Sequence, residues 1–202
     1  ANTRTNDALA LGWGNVAVGY QSMMLNTTGR YNTATGDGSL QNNIAGEFNS
    51  AFGNVALYST TGNSNTGIGA AAMFNITTGF QNTACGGGAR PGGITVATGD
   101  RVTTGSNNSF LGYLANVSVG GGALTNATAI GALAEVGESN AIVLGSINGV
   151  NTAVVNTNVG IGTRTPGISA PSTNQLAAGG VALTLMTPGA AAVRPVFTLD
   201  NE

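Results

Sequence analysis

Any chemistry done by this chain would have to come from six arginines, eight carboxylates and one cysteine, because it holds neither histidine nor lysine. General acid–base work needs a His or two carboxylates held at a working distance. Glycoside cleavage needs two acids facing each other across a cleft. The nearest acidic pair within the repeats is Glu135 and Glu138, which the surrounding repeat places in a short turn on the outside of the last coil. Asp100 and Arg101 read as a loop ion pair, worth little where solvent screens it. The runs Gly86-Gly87-Gly88 and Gly120-Gly121-Gly122 lack the Lys and the strand-to-helix setting of a phosphate loop. A metal site would have only scattered carboxylates and carbonyls, a donor set suited to Ca²⁺ at best. Cys85 is the sole cysteine, so no intrachain disulfide forms. It reads as a small buried hydrophobe rather than a reactive thiol. The chain is therefore expected to be non-enzymatic and to carry no cofactor or metal.

Recognition is the chemistry that remains. Trp13, Tyr20, Tyr31, Tyr58, Phe80 and Tyr113 offer rings that could stack on sugars, although most read as packing residues or isolated surface aromatics. Residues 90–98 (RPGGITVAT) lengthen one repeat by about nine residues, and loops on a rigid scaffold commonly carry recognition. The candidate binding residues are Arg90, Pro91, Ile94 and Thr95 in that loop and Arg101 just beyond it. A second possibility is the column Thr33, Ser50, Thr66, Thr83, Ser109 and Thr128, a hydroxyl array suited to ice or another regular surface. Strand-lining Thr of good β-propensity explains that column equally well.

What must position these residues is a repeat. Gly19, Gly36, Gly53, Gly69, Gly86, Gly112, Gly131 and Gly145 close the phrases NVAVG, NTATG, NSAFG, NTGIG, NTACG, NSFLG, ATAIG and AIVLG, at spacings of 17, 17, 16, 17, 26, 19 and 14 residues. Such a period means stacked units, each too small to bury a core alone. Within each phrase the residues alternate at period 2, the mark of a strand. One face carries a bulky column (Val18, Thr35, Phe52, Ile68, Cys85, Leu111, Ile130, Leu144). The other carries a column of mostly small residues (Ala17, Ala34, Ala51, Gly67, Ala84, Phe110, Ala129, Val143), as a face pressed against something close would. Four residues past the first four glycines stand Met23, Leu40, Leu57 and Met73, an apolar ladder that predicts a second short strand per unit. Turns such as Thr60-Thr61-Gly62 follow, where Gly supplies positive φ. Two strands and two turns in each 14–17 residues make one coil of a parallel β-roll over residues 5–150. The ladder fades in the later units, which reads as a change in cross-section. Residues 151–166 read as a β-rich transition and 167–202 as a linker with a small C-terminal β cap.

Composition agrees. The chain is 42% hydrophobic, only 7% charged and one-sixth glycine, with 33 in 202 residues. That excludes a charge-rich disordered chain, and no strict Gly triplet points to collagen. A net charge of −2 gives no footprint for nucleic acid or anionic lipid. No run reaches the roughly 18 apolar residues of a membrane span. The chain begins without an initiator Met or a leader, as a processed or excerpted piece would.

The phrase N-[ST]-A-x-G-x-x-A-L followed by TTG, seen best at residues 49–62 (NSAFGNVALYSTTG) and again at 32–46, resembles the head repeats of trimeric autotransporter adhesins. It is similar in the same degree to the shaft repeats of phage tail fibres and bacterial surface fibres that carry an endosialidase-type chaperone domain. Residues 158–166 (NVGIGTRTP) resemble a motif placed after such repeats in the tail-fibre group. The resemblance covers most of the chain and implies an all-β homotrimer of left-handed parallel β-rolls, extracellular on a virion or a bacterial surface. It further implies a host-surface glycan or protein receptor and other fibre or virion components as partners. A monomeric Thr-rich solenoid that binds ice is the alternative.

Overall fold

A computed structural model describes residues 12–88, 97–150, 152–154 and 157. Every regular element among them is a strand. Eight strands of three residues form one parallel sheet: β1 (Val16–Val18), β2 (Thr33–Thr35), β3 (Ser50–Phe52), β4 (Thr66–Ile68), β5 (Thr83–Cys85), β6 (Ser109–Leu111), β8 (Thr128–Ile130) and β10 (Ile142–Leu144). They lie in chain order, each paired with the next, with the repeat in register: Val16 opposes Thr33, Thr33 opposes Ser50, and so on to Thr128 and Ile142. Two further strands, β7 (Asn116–Val117) and β9 (Glu135–Val136), pair parallel on a second side. The architecture is a parallel β-solenoid of about seven coils, as the period required.

The strands are short because a glycine ends each one. Gly53 has φ of 137°, and a Cβ placed there would stand 2.6 Å from the backbone C and O of Gly69 in the next coil. The closing glycines thus form a column in which backbone lies directly on backbone, and only hydrogen fits.

The small-residue column faces inward. Ala34, Ala51, Ala84 and Ala129 are fully buried, and so are Leu40, Leu57 and Met73 on the opposite side of the same coils. Small opposite large is what a cross-section this narrow allows. Phe110 and Gly99 reverse the arrangement. Phe110 takes the alanine place, and Gly99 takes the place held by Met73 one coil earlier. A Cβ on Gly99 would lie 3.1 Å from the Phe110 ring and 2.7 Å from Met73.

The second side differs from expectation. Where the Leu and Met ladder predicts strands, the chain turns: Met23, Leu40, Leu57 and Met73 have φ of 49°, 51°, 51° and 51°. Left-handed backbone is costly for such residues, and here it is held by coil-to-coil bonds such as Leu40 N–H to the Ala56 carbonyl (3.0 Å). Strands form on this side only at β7 and β9, where the ladder has faded. There the inward residue moves one place along the chain, to Val117 and Val136, both fully buried.

A column of asparagines lies at one corner. Asn32, Asn49, Asn65, Asn82 and Asn108 are fully buried. Each Oδ1 accepts the next coil's backbone N–H, as from Asn65 to Asn49 (2.9 Å), from Asn108 to Asn82 (3.0 Å) and finally from Ala127 to Asn108 (2.9 Å). Each Nδ2 donates to a turn carbonyl: Asn32 to Gly46 (2.8 Å), Asn65 to Gly79 (2.9 Å) and Asn82 to Gly105 (2.8 Å). These amides satisfy buried backbone groups that a three-residue strand leaves over.

Candidate interaction surface

Because the middle residue of each strand points inward, the first and third point out on the same face of the sheet. The hydroxyl column therefore stands in register beside the bulky column, from Thr33 in β2 to Thr128 in β8. Six of the bulky residues, Val18, Phe52, Ile68, Leu111, Ile130 and Leu144, are between 40% and 52% exposed. Val16 and Ile142 interrupt the hydroxyl column and extend the apolar strip at its two ends. Eight strands at about 4.8 Å spacing make this face roughly 34 Å long. Cys85 belongs to the bulky column and is half-buried, which corrects the expectation that it is a core residue.

The aromatics lie elsewhere. On one edge of the first coils, Trp13 meets Tyr31 edge-on (4.6 Å between centroids) and Tyr31 stacks on Phe48 (5.0 Å). Arg30 lies 5.8 Å from the centre of the Trp13 ring and 3.9 Å from the Glu47 carboxylate. Tyr58 stacks on Phe74 at 4.8 Å. Tyr20 and Tyr113 are exposed. Phe80 stands further along the Trp13 edge, beside a shallow depression of about 400 Å³ lined by Thr61, Gly62, Asn63, Ser64, Thr78 and Gln81.

Arg90, Pro91, Ile94 and Thr95 lie outside the described residues, as do the motif at 158–166 and the C-terminal segment 167–202. Arg101 is described and is tied into the fold. Its guanidinium pairs with Glu135 and donates to the Val117 carbonyl (3.1 Å), and its backbone N–H donates to Asn116 Oδ1 (3.0 Å). Glu135 accordingly sits half-buried in β9, not in an outer turn. Asp100 is buried and accepts from Asn75 Nδ2 (2.9 Å). Burial raises its pKa to about 6, against the opposing pull of the Asn75 hydrogen bonds and the Arg101 charge. Among the described residues no cluster of His, Cys, Asp or Glu could hold a metal.

The buried asparagine column has no counterpart in the sequence reading, although its signal is the Asn that opens six of the eight phrases. Comparison with protein-family models, curated proteins and solved structures finds no match.

Proposed function

We propose that this chain is a non-enzymatic segment of an extracellular fibre, of the tail-fibre or surface-adhesin kind, that works as a homotrimer of left-handed coils. The observation that carries the reading is the apolar column on the outer face of the sheet. A row with Val, Phe, Ile or Leu at six of its eight places, along about 34 Å, is a large apolar surface for a single chain to leave in water. Three copies around a threefold axis cover it, each giving the same patch to the next, so the contact closes as a ring. The role is mechanical: a stiff rod of shared backbone ladders holds a receptor-binding surface, for a host glycan or protein, away from its base on a virion or cell surface. The in-register Thr and Ser column supports a second reading, a monomer that binds ice or another regular surface.

Cys85 tests the choice, because it lies in the apolar column and is the only cysteine. A three-armed maleimide is expected to yield a covalent species of three chains from the native protein. It should yield none from an Ile68→Glu variant, whose charge enters the column at the neighbouring strand. Singly modified chains alone, from both proteins, would refute the trimer and send the work to an ice-growth assay.

A further inference from the structure

Along the edge that carries Trp13, Tyr31 and Phe48, side-chain size drops abruptly. The corresponding residue of the next coil is Ser64, preceded by Asn63, and the coil after that brings Phe80 and Gln81. The coil-to-coil bonds keep these residues in columns: Phe48 N–H to Arg30 O (3.0 Å), Ser64 N–H to Glu47 O (2.9 Å), Gln81 N–H to Asn63 O (3.0 Å). Large residues on three coils and small ones on the fourth leave the depression of about 400 Å³ already described, a volume within the range of small-ligand sites.

Its lining has a definite chemistry. Phe80, 47% exposed, is the aromatic of the set. Thr61, Ser64 and Thr78 supply hydroxyls; Asn63 and Gln81 supply amides. Asn63 Oδ1 is committed to the Glu47 N–H (2.8 Å) and the Thr61 hydroxyl to the Thr77 carbonyl (3.2 Å). The Asn63 Nδ2, the Ser64 and Thr78 hydroxyls and the Gln81 amide make no hydrogen bond to another described residue. Among the described residues, none that lines the depression is charged. Donors and acceptors of both kinds, one exposed ring and no charge match a pyranose, which has one face of C–H groups and a rim of hydroxyls. They do not match a phosphate or a carboxylate, which would call for a cation.

We propose that this depression is a binding subsite for a neutral hexopyranoside, with Phe80 as the platform and Asn63, Ser64, Thr78 and Gln81 reading the hydroxyls. The inference rests on the adhesive reading above, and three copies of a weak site on one trimer would act together through avidity.

Saturation-transfer NMR with methyl β-galactopyranoside, methyl β-glucopyranoside and N-acetylneuraminic acid tests it. At least one neutral glycoside should bind, through its ring C–H protons and in preference to the acidic sugar. Phe80→Ala should weaken that binding by at least about tenfold. Ser64→Tyr should abolish it with the fold intact, since Tyr31 and Phe48 already hold aromatic rings at the matching left-handed positions (φ 55° and 58°, against 58° at Ser64). Equal signals from the native chain and both variants, or no signal from either neutral glycoside at tens of millimolar, would overturn the proposal. The particle mass recorded on the same samples separates the two ideas. A trimer that ignores sugars sinks the subsite alone, and a monomer that binds them sinks the trimer alone.

Discussion

In the coils of β1 to β4, a left-handed residue turns the chain opposite the main sheet and sends the fourth residue after each glycine inward: Met23, Leu40, Leu57 and Met73. In the coils of β6 and β8, a short strand does the same job and sends the fifth residue inward: Val117 and Val136. The asparagine column satisfies the corner as far as Asn108 in the β6 coil; the β8 and β10 coils, with Ala127 and Ala141 at that place, do without it. Gly99 and Phe110 sit at the join, where small and large exchange sides. The main sheet ignores this change and keeps its register from β1 to β10. The interior can therefore be rebuilt coil by coil while the outer face is kept, which locates the constraint on that face.

The largest effect should come from the glycine column. Gly53→Ala forces a methyl against the Gly69 backbone at 2.6 Å, and should cost more than about 4 kcal/mol or prevent folding. At Gly131 the same change is milder, since a Cβ there meets its first neighbour, Gly145 Cα, at 3.0 Å. Gly131→Ala should cost about 2 kcal/mol of backbone strain. Equal losses in denaturant titrations would break the comparison.

Next is the join. Phe110→Ala should cost about 3 to 5 kcal/mol through the cavity it leaves. Gly99→Leu alone should also destabilise, for want of room beside Phe110 and Met73. Together they restore the plan of the earlier coils, so the double variant should be more stable than the sum of the two by at least about 1 kcal/mol. Strict additivity would show that the two plans are not interchangeable.

Asn82→Ala removes the acceptor for Asn108 N–H and the donor to the Gly105 carbonyl, leaving two buried backbone groups unpaired. A loss of about 3 kcal/mol is expected, and a loss under about 1 kcal/mol would mean that water replaces the amide. The smallest effect is a pH dependence. The folded pKa of Asp100, about 6 against 3.8, lies above the unfolded value. Its contribution is therefore fully present below about pH 4 and is lost as pH rises through about 6. Asp100→Asn keeps an acceptor for Asn75 and should raise stability at pH 7.5 by up to about 2 kcal/mol, with little change at pH 4. A variant with the native pH profile would remove Asp100 from this account.

The period, the strands and the turn glycines were legible because each rests on a local rule: period-2 alternation, and positive φ at Gly. The second side was not, because nothing in Met23, Leu40 or Leu57 announces a left-handed backbone. Coil-to-coil hydrogen bonds impose it, and those are set by the stack. The fading of the ladder at Asn116 and Glu135 is visible in the sequence, but the inward role of Val117 and Val136 one residue on depends on a change from a left-handed turn to a strand that only the stacked coils impose. Of the surface, the hydroxyl and bulky columns were legible by alternation. That the bulky one faces out was not, since alternation separates two faces without saying which is inside. The depression beside Phe80 depends on residue sizes in successive coils and becomes visible only once they are stacked.

The most direct test is the mass of the native chain at sedimentation equilibrium across a range of concentrations. An outward apolar column covered by like copies predicts a single species of about three times the 19.8 kDa chain. A species of 19.8 kDa that persists at every concentration would contradict it and leave that face open to solvent or to a different ligand.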